Sequence, residues 1–158
     1  MWLGESTHTL DNKNRVFLPK RLQEGLERGP EGNLTAILTR GFEGCLFLFS
    51  THGFQAVLER LNTQAFEGAD ARLMQRLFFS SSTSLDLDSA GRLLVPEKLK
   101  TLVGIDKEVV MVGVIDRIEI WPAETWRALE AKHGNDFDRL DRVICGDNPR
   151  ASARVEGA

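Results

Sequence analysis

Residues 10–22, LDNKNRVFLPKRL, and residues 87–99, LDSAGRLLVPEKL, are one thirteen-residue pattern written twice. Leu, Asp, Arg, Pro and Leu recur at identical spacing in five of the thirteen columns, too many for coincidence. Self-similarity at this level marks a tandem duplication and decides the fold before any single element is read. The correspondence runs outward. Residues 41–50 (GFEGCLFLFS) align with residues 113–122 (GVIDRIEIWP), Phe54 and Val57 with Trp126 and Leu129, and residues 75–78 with residues 141–144. The offset falls from 77 to 72 along the chain, which places the length differences in the connections.

Each half then spells the same elements. Residues 3–10 and 80–87 are β-compatible and lead into a tight turn. That turn is set by Asn14 in one half and Gly91 in the other, the two residue types that most readily accept positive φ. Where Asn replaces glycine the expected cost is about 1 kcal/mol or less. The apolar triplets Val16-Phe17-Leu18 and Leu93-Leu94-Val95 leave the turn as short strands, so a hairpin with a charged tip is expected. Pro19 and Pro96 close the triplets and suit the start of a short helix. Residues 34–38 and 108–112 read as central strands, and residues 45–49 and 117–121 as their partners. Phe54, Val57, Leu58 and Leu61 mark an amphipathic helix with Ser50 or Thr51 as N-cap, and Pro122 opens its counterpart around Trp126. Second helices are expected over residues 69–79 and 137–145. The organisation is thus a first repeat at 5–52, a helical connection at 53–80, a second repeat at 81–124, C-terminal helices at 125–146 and a polar tail at 147–158 expected to be disordered.

The net charge is −3, with 20 basic and 23 acidic residues, which argues against a protein that coats nucleic acid by bulk electrostatics. Local charge differs. Five basic residues (Lys13, Arg15, Lys20, Arg21, Arg28) face three acidic ones (Asp11, Glu24, Glu27) from the first motif onward, whereas the second motif is nearly neutral. No apolar run approaches the length of a membrane span, and residues 1–9 lack a secretory pattern, so a cytoplasmic protein is expected. Cys45 and Cys145 have neither disulfide nor zinc spacing and read as buried thiols.

An Asp four residues before an Arg across a tight turn can bring carboxylate and guanidinium together, Asp11 to Arg15 and Asp88 to Arg92. An arginine held in one orientation suits base reading, because its planar fork donates two hydrogen bonds to guanine O6 and N7 in the major groove. Lys13 would add a phosphate contact. Lys20 and Arg21 would position the backbone, adding affinity but little sequence information. Against this stands the simpler reading that such pairs are turn staples, which contribute little when exposed. A duplicated fold duplicates its staples too.

The two motifs, the pair Phe78-Phe79 before the second copy and the stretch EVVMVGVIDRIEIW at 108–121 together resemble the MraZ family, whose halves are of the SpoVT/AbrB-like class. The resemblance covers nearly the whole chain and implies an α+β, mainly β fold. In it, tandem AbrB-like halves form a pseudo-twofold swapped-hairpin, or double-split, β-barrel with peripheral helices. It further implies a nucleoid-associated, non-enzymatic regulator that binds double-stranded DNA at direct repeats in its own promoter and represses a division and cell-wall gene cluster. A ring-shaped homo-oligomer, expected as an octamer, is also implied. The DNA-facing positions carried over are Asp11, Lys13, Arg15, Asp88 and Arg92. Ala90 stands where the first copy has Lys13, so the first half is expected to bind DNA more strongly. Oligomerisation would offset the acidic charge through avidity.

His8, His52 and His133 are scattered and form no catalytic or metal constellation, and Asp86, Asp88 and Asp106 lack the ligand density of a calcium loop. No nucleotide-binding pattern occurs and no cofactor is expected. The aromatics Phe42, Phe47, Phe49, Phe78, Phe79, Trp121 and Trp126 suit core packing better than base stacking. An oligomeric scaffold that uses its turns for subunit contacts remains the alternative; net charge favours it, and the tandem turns favour DNA.

Overall fold

The first strand of each half pairs with the central strand of the other half. In the computed structural model, which describes residues 1–62 and 68–145 without the side chains of residues 62 and 145, β1 (Glu5–Thr9) leads to the turn before β2 (Arg15–Phe17). The expected disordered tail and the thiol of Cys145 lie outside the described residues. A short helix α1 (Lys20–Gln23), β3 (Glu27–Arg28), β4 (Leu34–Arg40) and β5 (Leu46–Phe49) complete the first half. Helices α2 (Thr51–Asn62) and α3 (Ala69–Ser80) lead to the second half: β6 (Thr83–Asp86), β7 (Arg92–Leu94), α4 (Glu97–Val103), β8 (Glu108–Gly113) and β9 (Ile118–Pro122). β1 pairs antiparallel with β8, placing Thr7 opposite Val110, and β6 pairs with β4, placing Ala36 opposite Leu85.

The main sheet runs β1-β8-β9-β5-β4, with β6 on the far side of β4 and β3 following β5 along its near side. β2 and β7 form a separate two-stranded ribbon. Exchanging the halves maps β1 on β6, β8 on β4, β9 on β5 and β2 on β7 with every pairing among these strands preserved; β3 alone has no counterpart among the described residues. Two cross-strand pairs join equivalent columns of the repeat, Phe47 with Glu119 and Val16 with Leu93, so a pseudo-twofold axis passes through both. The class is therefore α+β with a β core, built from interlocked tandem halves. The sheet does not close into a barrel, because β1 and β6 turn off its two ends and their continuations, β2 and β7, pair with each other instead.

The duplication survives in side-chain burial and in backbone shape. Leu10, Val16, Leu18 and Leu22 are buried in the central cluster, as are their equivalents Leu87, Leu93, Val95 and Leu99. Asn14 and Gly91 have φ of 60° and 77°. Glu43 and Ile115 also occupy one column, with φ of 66° and 62°. A β-branched residue seldom adopts this region; Ile115 is held there by reciprocal backbone hydrogen bonds with Trp2 at 2.8 and 3.1 Å.

Ser50 is the N-cap of α2, its hydroxyl accepting from Gly53 N at 2.9 Å. Pro19 and Pro96 immediately precede α1 and α4. The halves diverge after these prolines: α4 has seven residues and ends on left-handed Gly104, whereas α1 has four and is followed by β3, a strand the sequence pattern does not announce. Phe47, Phe49, Phe78 and Trp121 are buried as expected, whereas Phe42 and Phe79 are exposed and pack edge to face on buried rings, with centroids 5.6 Å apart for Phe42 and Phe47 and 5.5 Å for Phe78 and Phe79.

The described residues form two compact units, the second beginning at Glu124. In the second, α5 (Ala123–His133) continues from Pro122 as expected, but the helix expected over residues 137–145 does not form as one element. A 3-10 turn, Gly134–Asp136, precedes it, and the segment itself is a second 3-10 turn, Asp138–Leu140, followed by α6 (Asp141–Cys145). Gly134, Asn135 and Asp136 are weak helix formers, and Asp136 spends its carboxylate on His133 Nδ1 at 2.8 Å.

Cys45 is buried, and burial pushes its thiol up to about 12, aided by the nearby Glu119 carboxylate. In a Cys145→Ser background, the remaining thiol is therefore expected to resist alkylation by iodoacetamide at pH 8 until denaturant is added, because the thiolate is the reacting form. Rapid labelling of the native protein would contradict the burial.

Candidate nucleic-acid interface

The two Asp–Arg turns are corners rather than hairpins, since each joins a strand of the main sheet to a strand of the ribbon and the flanking strands do not pair with each other. Asp11 Oδ1 accepts from the backbone N–H of Lys13 and of Arg15, both at 2.9 Å, and its Oδ2 accepts from Arg15 Nε at 2.8 Å. Asp11 N donates to Arg15 O at 2.8 Å and Asn14 N to Asp11 O at 3.0 Å. The second copy repeats this. Asp88 Oδ1 accepts from Ala90 N at 3.0 Å and Arg92 N at 2.9 Å, and Oδ2 from Arg92 Nε at 2.8 Å. One short carboxylate thus closes the turn and aligns the guanidinium, a reach that accounts for aspartate at both positions.

Because β2 lies against β7, the corners meet. Arg92 Nη1 lies 3.8 Å from Asp11 Oδ2, so the four charged side chains form one cluster instead of two remote tips. Only the Nε of each arginine is bonded within the chain among the described residues; the terminal nitrogens remain available to an acceptor outside it. Both arginine side chains are about one-third exposed, at 32% and 36%.

The turn amides hold the carboxylates ionised. The backbone N–H of Arg15 is the main cause that lowers Asp11 below the usual carboxylate range, followed by the N–H of Lys13 and the Arg15 guanidinium. For Asp88 the backbone N–H of Arg92 leads, then its guanidinium. A lowered native value means that the turn's contribution is complete above the ordinary carboxylate range and is lost as pH falls through the lowered one. Carboxyl-carbon NMR should show both groups titrating below ordinary aspartate. In Arg15→Ala the Asp11 midpoint should rise only partly, because the leading amide donor is retained. A full return to the ordinary value would show that the guanidinium, not the turn, sets it.

Asn14 and Gly91 solve one backbone problem differently. Asn14 Nδ2 donates to Glu97 Oε2 at 2.8 Å and its Oδ1 accepts from Lys100 Nζ at 3.1 Å, tying the first turn to α4. At the equivalent place Gly91 lies under Gln23, which occupies the column of Lys100, and a Cβ there would collide with Gln23 Nε2. Asn14 is therefore a link between halves and not merely a tolerated substitute. Asn14→Ala should lower stability by about 1–3 kcal/mol in urea unfolding, combining left-handed strain with two lost hydrogen bonds. A neutral result would mean that the two bonds contribute nothing.

The remaining expected residues are less concentrated. Lys13 and Lys20 are exposed and make no ion pair among the described residues. Arg21 is exposed on α1, but its Nη1 donates to Leu3 O at 2.7 Å, toward the N-terminal segment and outside the cluster. Sequence reasoning did not single out Gln23, Glu97 and Lys100, nor Phe17 and Leu94, which are exposed on the ribbon. Strand alternation within the two apolar triplets, in which the middle residue must face away from its neighbours, carried the signal for the last two.

Fold and site together define a tandem-repeat α+β protein whose strand-exchanged halves present two aspartate-braced arginines as one surface cluster. The family described as "MraZ protein, putative antitoxin-like" matches residues 1–77 and again residues 78–143. Relatives named "Transcriptional regulator MraZ" include one from Clostridium beijerinckii, 38% identical over 89% of this chain and 94% of its own length. Another, from Desulforamulus reducens, is 39% identical over 91% of this chain and 97% of its own. One from Moorella thermoacetica is 36% identical over 89% and 94%. The chain belongs to the MraZ family.

Proposed function

We propose that this chain is a transcriptional regulator that binds double-stranded DNA in a sequence-specific way through the β2–β7 ribbon. The convergence of Arg15 and Arg92, each braced by its own aspartate and linked through Asp11, is the observation that carries this reading. Two preorganised forks side by side suit adjacent guanines in the major groove, which is wide enough to admit a two-stranded ribbon. Lys13, and more weakly Lys20 and Arg21, supply phosphate contacts that fix register. The name shared by the relatives supports regulation of transcription.

In this reading the protein acts without catalysis in the cytoplasm, on the nucleoid. It represses its own promoter, at the head of a division and cell-wall gene cluster, by binding direct repeats. A ring of subunits, taken as an octamer, sums weak individual contacts, which reconciles DNA binding with a net charge of −3. No helix among the described residues is long and apolar enough to cross a membrane. The alternative, a scaffold without specific DNA binding, draws support from a cavity-bearing apolar face lined by Phe42, Leu77, Leu102 and Val103. A ring would use such a face as well.

Fluorescence anisotropy against a fragment from upstream of the protein's own gene, with an unrelated fragment as competitor and at two salt concentrations, tests the proposal. Preference for the upstream fragment and a steep fall with salt are expected. Equal affinity for both fragments would overturn sequence specificity. Light scattering on the same samples reads the subunit number.

A further inference from the structure

The outer face of the ribbon carries four side chains, and only two of them are charged. Within β2 and β7, Val16 and Leu93 turn inward and are fully buried, so Arg15 and Phe17 on one strand and Arg92 and Leu94 on the other share the outward face. The register sets Arg15 opposite Leu94 and Phe17 opposite Arg92. Each guanidinium therefore has an apolar neighbour contributed by the other half, at the close spacing of a cross-strand pair. Phe17 is 42% exposed and Leu94 50% exposed, in a chain that buries the other members of both triplets. Phe17 is also held in place: its Cε2 would lie 3.3 Å from a Cβ at Gly91, so the ring rests against the second turn.

An interface that contacted only phosphates would gain nothing from two exposed apolar groups between its arginines. Among the base edges of the major groove there is one apolar group, the C5-methyl of thymine. We infer that Phe17 and Leu94 are specificity-determining residues that cover thymine methyls next to the guanines addressed by Arg92 and Arg15. The recognition unit is composite, an arginine from one half and an apolar side chain from the other, and it selects steps in which thymine adjoins guanine. This rests on the DNA-binding reading given above and adds a base identity that arginine alone does not specify.

The test uses the full chain and the upstream fragment amplified with either dTTP or dUTP, so that thymine loses its methyl and keeps its hydrogen-bonding edge. Wild type should bind the thymine fragment about fourfold more tightly per methyl covered, and about 16-fold more tightly for two. The double variant Phe17→Ala/Leu94→Ala should bind both fragments with the affinity that wild type shows for the uracil one. Phe17→Leu, which keeps an apolar cover, should retain the preference. Since both positions are exposed, an unchanged unfolding midpoint is expected and verifies the fold.

If wild type does not distinguish thymine from uracil while still requiring Arg15 and Arg92, the inference is overturned and the DNA-binding reading stands. A thymine preference that persists in the double variant overturns it too, since the methyl is then sensed elsewhere or through DNA shape. Failure to prefer the upstream fragment over unrelated DNA removes the underlying function, and the inference with it.

Discussion

Arg15→Ala and Arg92→Ala should each weaken binding to the upstream fragment by between about 5-fold and about 150-fold, the range for losing one bidentate contact to guanine. The larger figure is expected for Arg15. The first turn supplies more of the cationic contacts. Lys13 also stands beside Arg15, whereas Ala90 occupies that column in the second half. The double variant should lose less than the product of the two single losses, because both arginines share Asp11 and are therefore not independent sites. Lys13→Ala should behave differently, weakening all sequences alike and reducing the salt slope by about one. Unchanged affinity in both arginine variants, with an unchanged mass by light scattering, would assign the cluster to turn closure alone. A wild type that self-associates and variants that are monomeric by light scattering would assign it to subunit contact.

The second large effect is on stability. Leu93 is fully buried and pairs with Val16 on the pseudo-twofold axis, so Leu93→Ala opens a cavity where the halves meet. A loss of about 2–5 kcal/mol is expected in urea unfolding, the range for deleting a large aliphatic side chain from a packed core. Its neighbour Leu94 lies outward, and Leu94→Ala should change stability by about 0.5 kcal/mol or less. The contrast between adjacent residues of the same type is the informative measurement. A small effect at Leu93 would mean that the ribbon is peripheral to the cooperative unit. A large one at Leu94 would mean that its exposed face is covered in solution by another subunit.

Much of the fold is legible in the repeated motif, and the reasons are local. Short apolar stretches mark the strands from Leu34 and from Glu108, Ser50 marks the start of α2, and the aspartate spacing marks a turn that closes on its own arginine. What is not legible depends on distance along the chain. No local pattern states that Thr7 lies opposite Val110, or that the two turns arrive at one place, because either half could in principle have folded on itself. The hairpin expectation failed for that reason. The link from Asn14 to Glu97 and Lys100 is invisible for the same reason, being a contact between halves. At Phe17 and Leu94 the information was present, but an apolar triplet reads as core until one asks which of its members alternation turns outward.

The exchange of first strands also dictates when this protein can fold. Glu5 finds its partner in Val112, and Val16 finds Leu93, so the earliest segments of the chain lack their native partners until the strands of the second half exist. Closing such long loops delays the reward for ordering, which slows folding relative to a protein of local contacts. Emerging from the ribosome, the N-terminal half would hold β1 and β2 without their native partners, although it contains a complete copy of the repeat. Synthesis of the second half is thus the step that completes the first.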